Sequence, residues 1–275
     1  MTNNHTLRAL EEQFGFTSAK AVDEVPMIQP PSLQPTINDL KSKRPISAEM
    51  PPGAGFRVLS EFIRISPEVI ARLSIFESPD ISDALNRMFV FDPSIHNLIN
   101  DKPLFGPALT VKVFPGDNLM VHKALDVAQP GDVIVVDTGG SPRNAIIGDL
   151  IANKAKSRGV AGFIIDGLIR DLPGIKETGL PVFASGVTSF GPLQRGPGEL
   201  GYPISCGGIV VNPGDAICAD TSGIVVVRKE IAEYTIEYLV KHKAAQADYL
   251  SNVRKGVFSN EWVDRQLLKD GCVIE

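Results

Sequence analysis

Cysteine is scarce in this chain. Its 275 residues include three, Cys206, Cys218 and Cys272. They form no C-x-x-C pair and leave one over in any disulfide scheme, so neither a disulfide framework nor a redox dithiol is expected. They read as small buried hydrophobes. Histidine is equally thin: His5, His96, His122 and His242 share no ligand spacing, which argues against zinc. No run of about 18 apolar residues occurs, so no membrane-spanning helix is expected. The N-terminus, Met-Thr-Asn-Asn-His-Thr, lacks the basic and apolar regions of a signal peptide. The net charge of −5 brings none of the concentrated basic character of a nucleic-acid surface. These absences predict a soluble cytoplasmic protein with neither nucleic acid nor membrane as partner.

Missing motifs exclude further chemistries. Gly139, Gly140 and Gly148 do not make G-x-G-x-x-G, and no G-x-x-x-x-G-K-[ST] occurs, which disfavours nucleotide-phosphate binding. Ser185 and Ser205 lack the G-x-S-x-G context of a hydrolase elbow. A Schiff-base mechanism needs a desolvated lysine, whereas Lys154 and Lys156 read as solvated helix residues and Lys176 as part of a polar turn.

What is present concentrates between Asp137 and Asp171. A strand over Gly131 to Asp137 leads through a glycine-rich loop into a helix whose first turn falls near Gly148 to Ile151. Its apolar positions are Leu150, Ile151 and Ala155, and Gly159 closes it as a left-handed cap. A second strand, Phe163 to Ile165, is followed by a glycine-permitted turn and the adjacent pair Arg170 and Asp171. Loops at the carboxyl ends of strands are where α/β proteins place chemistry. An arginine there grips a planar carboxylate, and an aspartate holds a hard divalent cation. The helix start adds free N–H groups that receive anions. Taken alone, the Arg-Asp pair is an ordinary solvated ion pair, and Asp149 is a capping residue.

The chain divides into a Pro-rich arm over 1–55, a core over 56–228 and a C-terminal helical extension over 229–275. In the core, Ser66 caps a helix with Pro67 in its first turn and Val69, Ile70 and Leu73 on its apolar face. Pro-Gly-Asp recurs at Pro115, Pro130 and Pro213, each beside a β-branched run, and suits a type II turn. Late strands without room for helices, after earlier strands separated by helical segments, predict a layered α/β core.

Several of these runs together resemble a known family. Arg158 to Asp171 (RGVAGFIIDGLIRD), Gly196 to Val227 (GPGELGYPISCGGIVVNPGDAICADTSGIVVV), Gly116 to Leu125 (GDNLMVHKAL) and Gly131 to Asp137 (GDVIVVD) are similar in content and order to the RraA-like family. That family includes divalent-metal-dependent 4-hydroxy-4-methyl-2-oxoglutarate/4-carboxy-4-hydroxy-2-oxoadipate aldolases. The resemblance, over roughly residues 56 to 235, implies a β/β/α swivelling-domain architecture assembled as a homotrimer or homohexamer. It implies that Asp171 ligates Mg2+ or Mn2+, that Arg170 holds a small-molecule 2-oxo acid, and that Asp149 stands near the metal through water. Gly148 and the N–H groups of Leu150 and Ile151 would cradle the pyruvyl carboxylate. The expected activity is retro-aldol cleavage to pyruvate, with decarboxylation of oxaloacetate as a possible companion. The alternative is a non-catalytic regulator that binds an RNA-degradation enzyme. In the aldolases a neighbouring subunit adds a carboxylate; here the corresponding stretch carries Gln246 and Asp248.

Overall fold

The structure, a computed structural model, describes residues 50–273. The expected arm therefore lies, up to residue 49, outside the described residues, as do the last two residues of the tail. In chain order the strands are β1 (Phe56–Val58), β2 (His96–Asn97), β3 (Leu104–Val113), β4 (Val133–Asp137), β5 (Ala145–Ile147), β6 (Gly162–Ile169), β7 (Val182–Val187), β8 (Gly198–Leu200), β9 (Ile204–Cys206), β10 (Ile209–Val211), β11 (Ala216–Asp220) and β12 (Gly223–Val227). The helices are α1 (Pro67–Leu73), α2 (Ser78–Ala84), α3 (Leu119–Val127), α4 (Asp149–Ser157), α5 (Leu172–Thr178), α6 (Ala232–Arg254) and α7 (Glu261–Lys269).

Strands β3, β4, β6 and β7 run parallel side by side. Their continuous apolar runs suit a sheet covered on both faces, and the alternation of side chains assigns each residue to a layer. Ile134, Val136, Phe163 and Ile165 pack under α3 and α4 with Val121, Ala124, Ile151 and Ala155. Val133, Val135 and Ile164 face the other way, toward Ile204, Val211, Ile217 and Ile224. Strand β11 pairs antiparallel with both β3 and β12. Its alternate residues Ala216 and Cys218, with Val225 and Val227 of β12, close a third cluster under α1, α2 and α6. The predicted layered α/β core is present. Each fully buried Leu, Ile or Phe contributes about 1.5–3 kcal/mol, so the sheet is a rigid base for the loops at its edge.

The three Pro-Gly-Asp sequences form turns as expected. In each, the aspartate N–H bonds the carbonyl three residues back: Asp117 to Phe114 at 2.9 Å, Asp132 to Gln129 at 3.0 Å, and Asp215 to Asn212 at 3.2 Å. The glycines Gly116, Gly131 and Gly214 have φ of 80°, 91° and 84°, the region that position i+2 of a type II turn demands. Ser66 caps α1, its Oγ accepting the Val69 N–H at 3.3 Å.

Other expectations need correction. Strand β6 does not end at Ile165 but continues to Ile169. Asp166 and Gly167 lie inside it, at an irregularity in the pairing with β7. The Asp166 carboxylate accepts the Gly207 N–H at 2.9 Å, which satisfies a polar group that otherwise signals a turn. Lys176 is in helix α5, not a turn. Cys206 and Cys218 are buried, but Cys272 is exposed beyond α7. Gln246 and Asp248 are on α6, where Gln246 Nε2 donates to Asp80 Oδ1 of the same chain at 3.1 Å.

Candidate active site

The carboxyl ends of the parallel strands meet at one edge of the sheet, and the segments that follow β3, β5, β6 and β7 line a cleft of about 150 Å3 there. Its walls include Arg170 and Asp171 after β6, Gly148 to Ile151 at the start of α4, Asn118 and His122 at the start of α3, and Gln194. The structure therefore brings Arg170, Asp171, Gly148, Asp149, Leu150 and Ile151 together. A cleft this small suits a few-carbon acid rather than a nucleotide, since drug-sized ligands need about 300–1,000 Å3. Larger clefts lie elsewhere, and in two of them charged groups that line the space are engaged by the fold. In one of about 420 Å3 the Asp220 carboxylate accepts from Ser78 and Ser222. In another of about 520 Å3 Arg64 and Asp132 form a buried pair at 2.8 Å.

Arg170 is fixed by its backbone, whose N–H bonds Ile147 O at 3.0 Å, while its side chain stays partly open. Its Nε stands 3.3 Å from Asp171 Oδ2. Asp171 precedes α5 in the left-handed region, φ 57° and ψ 42°, and its side chain makes no capping bond. Only a few per cent of non-glycine residues adopt positive φ, aspartate more readily than most. The backbone thus accepts an unfavourable conformation while the carboxylate remains free of the capping role that would explain it.

Gly148 is the N-cap of α4. A Cβ there would fall 2.3 Å from Asp171 Oδ2 and 3.3 Å from Arg170 Cγ, so a side chain would fill the space where the carboxylate meets the helix start. Asp149 opens the helix, and its Oδ1 accepts the Leu150 N–H at 2.7 Å; the bland capping role is partly real. Leu150 is a correction. It is 73% exposed and faces the cleft mouth rather than the core, and Ala152 takes the buried place beside Ile151 and Ala155.

The donor set also tests the implied metal. Among the described residues no group of three or more His, Cys, Asp and Glu side chains is placed to hold an ion. Two carboxylates, Asp171 and Asp149, line the cleft without a soft ligand. Magnesium keeps several waters and takes one or two carboxylates plus substrate oxygens, so this set fits Mg2+ or Mn2+ and not a four-ligand zinc site.

Three further polar side chains, Asn118, His122 and Gln194, line the cleft that the motif spacing did not single out. Asn118 and His122 lie four apart, so they share one face of α3, a signal present within Gly116 to Leu125. Gln194 carries no such signal. Its Nε2 lies 3.2 Å from His122 Nε2. Burial, and then the nearby Lys154 ammonium, push the His122 imidazole below its ordinary value of 6.5.

Residues 78–226 match the RraA-like family, described as Aldolase/RraA. A Halalkalibacterium halodurans protein with the provisional name 4-hydroxy-4-methyl-2-oxoglutarate aldolase is 42% identical over 168 residues, 61% of this chain and 79% of that one. The structure of Streptomyces coelicolor RraAS2, an unusual member of the RNase ES inhibitor RraA protein family, superposes with a TM-score of 0.63 at 28% identity, covering 70% of this chain and 99% of the other. The RNA-processing inhibitor RraA from Thermus thermophilis gives a TM-score of 0.51 at 27% identity, covering 55% and 92%.

Proposed function

This chain belongs to the RraA-like family, and from that premise we propose that it is a carbon–carbon lyase that cleaves a pyruvyl-containing 4-hydroxy-2-oxo acid by a retro-aldol step. The observation that carries this is the convergence of Arg170, Asp171, Asp149 and the first turn of α4 on one small cleft. The aldolase name of its relatives supports it.

Arg170 presents a planar fork to the 2-oxo acid, and the first turn of α4, whose Leu150 N–H is engaged by Asp149 Oδ1, offers its remaining N–H groups to the carboxylate. Asp171, with Asp149 behind it, would hold Mg2+ or Mn2+. The bound cation would supply Lewis-acid polarisation of the 2-oxo group. In the cleavage the 4-hydroxyl loses its proton, the C3–C4 bond breaks, and its electron pair enters the enolate of pyruvate beside the Arg170 charge. Protonation at C3 releases pyruvate, and the other fragment leaves as a carbonyl compound. Oxaloacetate reaches the same enolate by loss of CO2, so one cleft serves both reactions. The same reading takes the active form to be a homotrimer or homohexamer, which light scattering tests.

A catalytically silent regulator of an RNA-degradation enzyme is the second reading, supported by what the solved neighbours are called. Carboxylates left open in a cleft favour the enzyme, since a protein-binding surface does not require them. The test is pyruvate release from 4-hydroxy-4-methyl-2-oxoglutarate and from oxaloacetate. Activity that is lost in EDTA and restored by Mg2+ supports the lyase, and full turnover in EDTA removes the metal-assisted mechanism.

A further inference from the structure

A retro-aldol step needs an acceptor for the 4-hydroxyl proton, and the side chains around the cleft offer few. The titratable ones are His122, Asp149, Arg170 and Asp171. Arg170 stays a cation. Asp171 and Asp149 are the carboxylates that fit a divalent ion, and a carboxylate beside a cation is a weak base. Asp149 Oδ1 is in addition taken by the Leu150 N–H. Asn118 and Gln194 end in amides, which do not take up a proton near neutral pH. Among the described lining residues that leaves His122, the side-chain type whose ordinary pKa is nearest neutrality.

The imidazole has a fixed place. The loop after β7 is tied to the turn that precedes α3: Asn118 N–H donates to Leu193 O at 2.9 Å, Leu193 N–H to Gly116 O at 2.8 Å, and Arg195 N–H to Asp117 Oδ2 at 2.5 Å. That clamp holds Gln194, whose Nε2 lies 3.2 Å from His122 Nε2. A side-chain amide both donates and accepts, so Gln194 suits the ring with or without a second proton. A base must be unprotonated to act, and burial, then the Lys154 ammonium of α4, favours the neutral ring. On its own helix Lys123 and Asp126 pair at 3.3 Å, and Asp126 also meets Arg158 at 3.8 Å; on the loop, exposed Arg195 follows Gln194. A few-carbon acid fills a cleft of about 150 Å3, so the side chains of its wall lie against the ligand. With the pyruvyl end taken by Arg170 and the start of α4, the wall from α3 is left for C4 and its hydroxyl.

We propose that His122 is the general base of the cleavage, taking the proton of the substrate's 4-hydroxyl, with Gln194 holding its ring in position. This rests on the lyase reading of the cleft. The O–H bond breaks as an N–H bond forms on the imidazole, the C4–O bond becomes a carbonyl, and the C3–C4 electron pair passes into the enolate. Nothing is oxidised or reduced, and the half-buried imidazolium returns its proton to water. Loss of CO2 from oxaloacetate removes no hydroxyl proton, so that reaction has no need of this base.

The test compares the two reactions in one variant. His122→Gln keeps an amide beside Gln194 and removes the base. With the full chain and saturating Mg2+, its kcat for pyruvate release from 4-hydroxy-4-methyl-2-oxoglutarate should fall about 10^2- to 10^3-fold. Its decarboxylation of oxaloacetate, above the rate with Mg2+ alone, should stay within about threefold of the parent. Pyruvate, the shared product, titrated calorimetrically, should bind the variant within about twofold of the parent. Cleavage that survives the substitution overturns the proposal, as does an equal fall in both reactions or a matching loss of pyruvate binding, since either would make His122 a structural or binding residue. A parent inert toward oxaloacetate leaves the comparison to pyruvate binding, and the same loss of cleavage decides it. A parent that cleaves while the variant shows no selective loss removes His122 and keeps the lyase; a parent that does not cleave removes both.

Discussion

Two sets of aspartates divide this molecule. Asp117, Asp132 and Asp215 end the three Pro-Gly-Asp turns, are 2%, 0% and 0% exposed, and have their oxygens filled. Asp117 accepts from Leu119 and Arg195, Asp132 from Gln129 and twice from Arg64, and Asp215 from Asn212 and Lys229. Asp149 and Asp171 lie at the sheet edge with little of this: one bond to the adjacent Leu150 N–H, and one long contact to Arg170. A carboxylate whose lone pairs are satisfied by the fold stabilises the fold, and one left open in a cleft is available to a ligand. The same residue type serves both purposes, and its donors tell them apart.

Substitutions can break this comparison in either direction. The largest effect is expected from Asp171→Asn, which keeps a side chain tolerant of positive φ and removes the charge. Its kcat/KM for pyruvate release should fall about 10^4-fold, roughly 5 kcal/mol, with an unchanged thermal midpoint; a variant that melts early would make Asp171 structural. Asp132→Ala should do the reverse. It strands a buried guanidinium, at a cost of about 3–5 kcal/mol in denaturant unfolding, while the folded fraction retains its kcat. Arg170→Lys exchanges a planar fork for a point charge and should cost about 2–4 kcal/mol in kcat/KM, mostly in kcat; a value within about twofold of the parent removes Arg170 from the mechanism.

The smallest effect is a pH limb. Burial raises the Asp220 carboxyl, but donors from Ser78, Ser222 and Gly223 outweigh it and hold it below its ordinary 3.8. A folded value below the unfolded one means that the stabilisation is complete above the unfolded value and fades as pH falls through the folded one. Stability measured in urea from pH 5 downward should therefore lose a component that Asp220→Asn lacks already; parallel curves for the two proteins would contradict it.

Local signals carried much of this. The Ser66 cap and the Pro-Gly-Asp turns were legible because each is decided within a few residues. Arg170, Asp171 and the start of α4 were legible as a strand-end cluster, and the order of the motifs supplied their family. The end of β6 was not, because Asp166 is satisfied by Gly207, some forty residues on, a partner that no local pattern reveals. Leu150 misled for a related reason: an apolar residue at the right spacing lines the cleft and stays exposed rather than packing on the sheet. Gln194 joins His122 only through the clamp on the loop after β7, a long-range contact. Asn118 and His122 were readable by spacing, though nothing in that spacing told a cleft wall from a core face.

The central claim is that Asp171, with no capping bond and one long contact to Arg170, is left open so that it can hold a cation. Mn2+ binding, followed by electron paramagnetic resonance on the full chain, on Asp171→Asn and on Asp117→Asn, tests it without reliance on any substrate. One ion per chain is expected for the parent and for Asp117→Asn, with binding lost in Asp171→Asn. Equal binding by the Asp171→Asn protein would contradict the account.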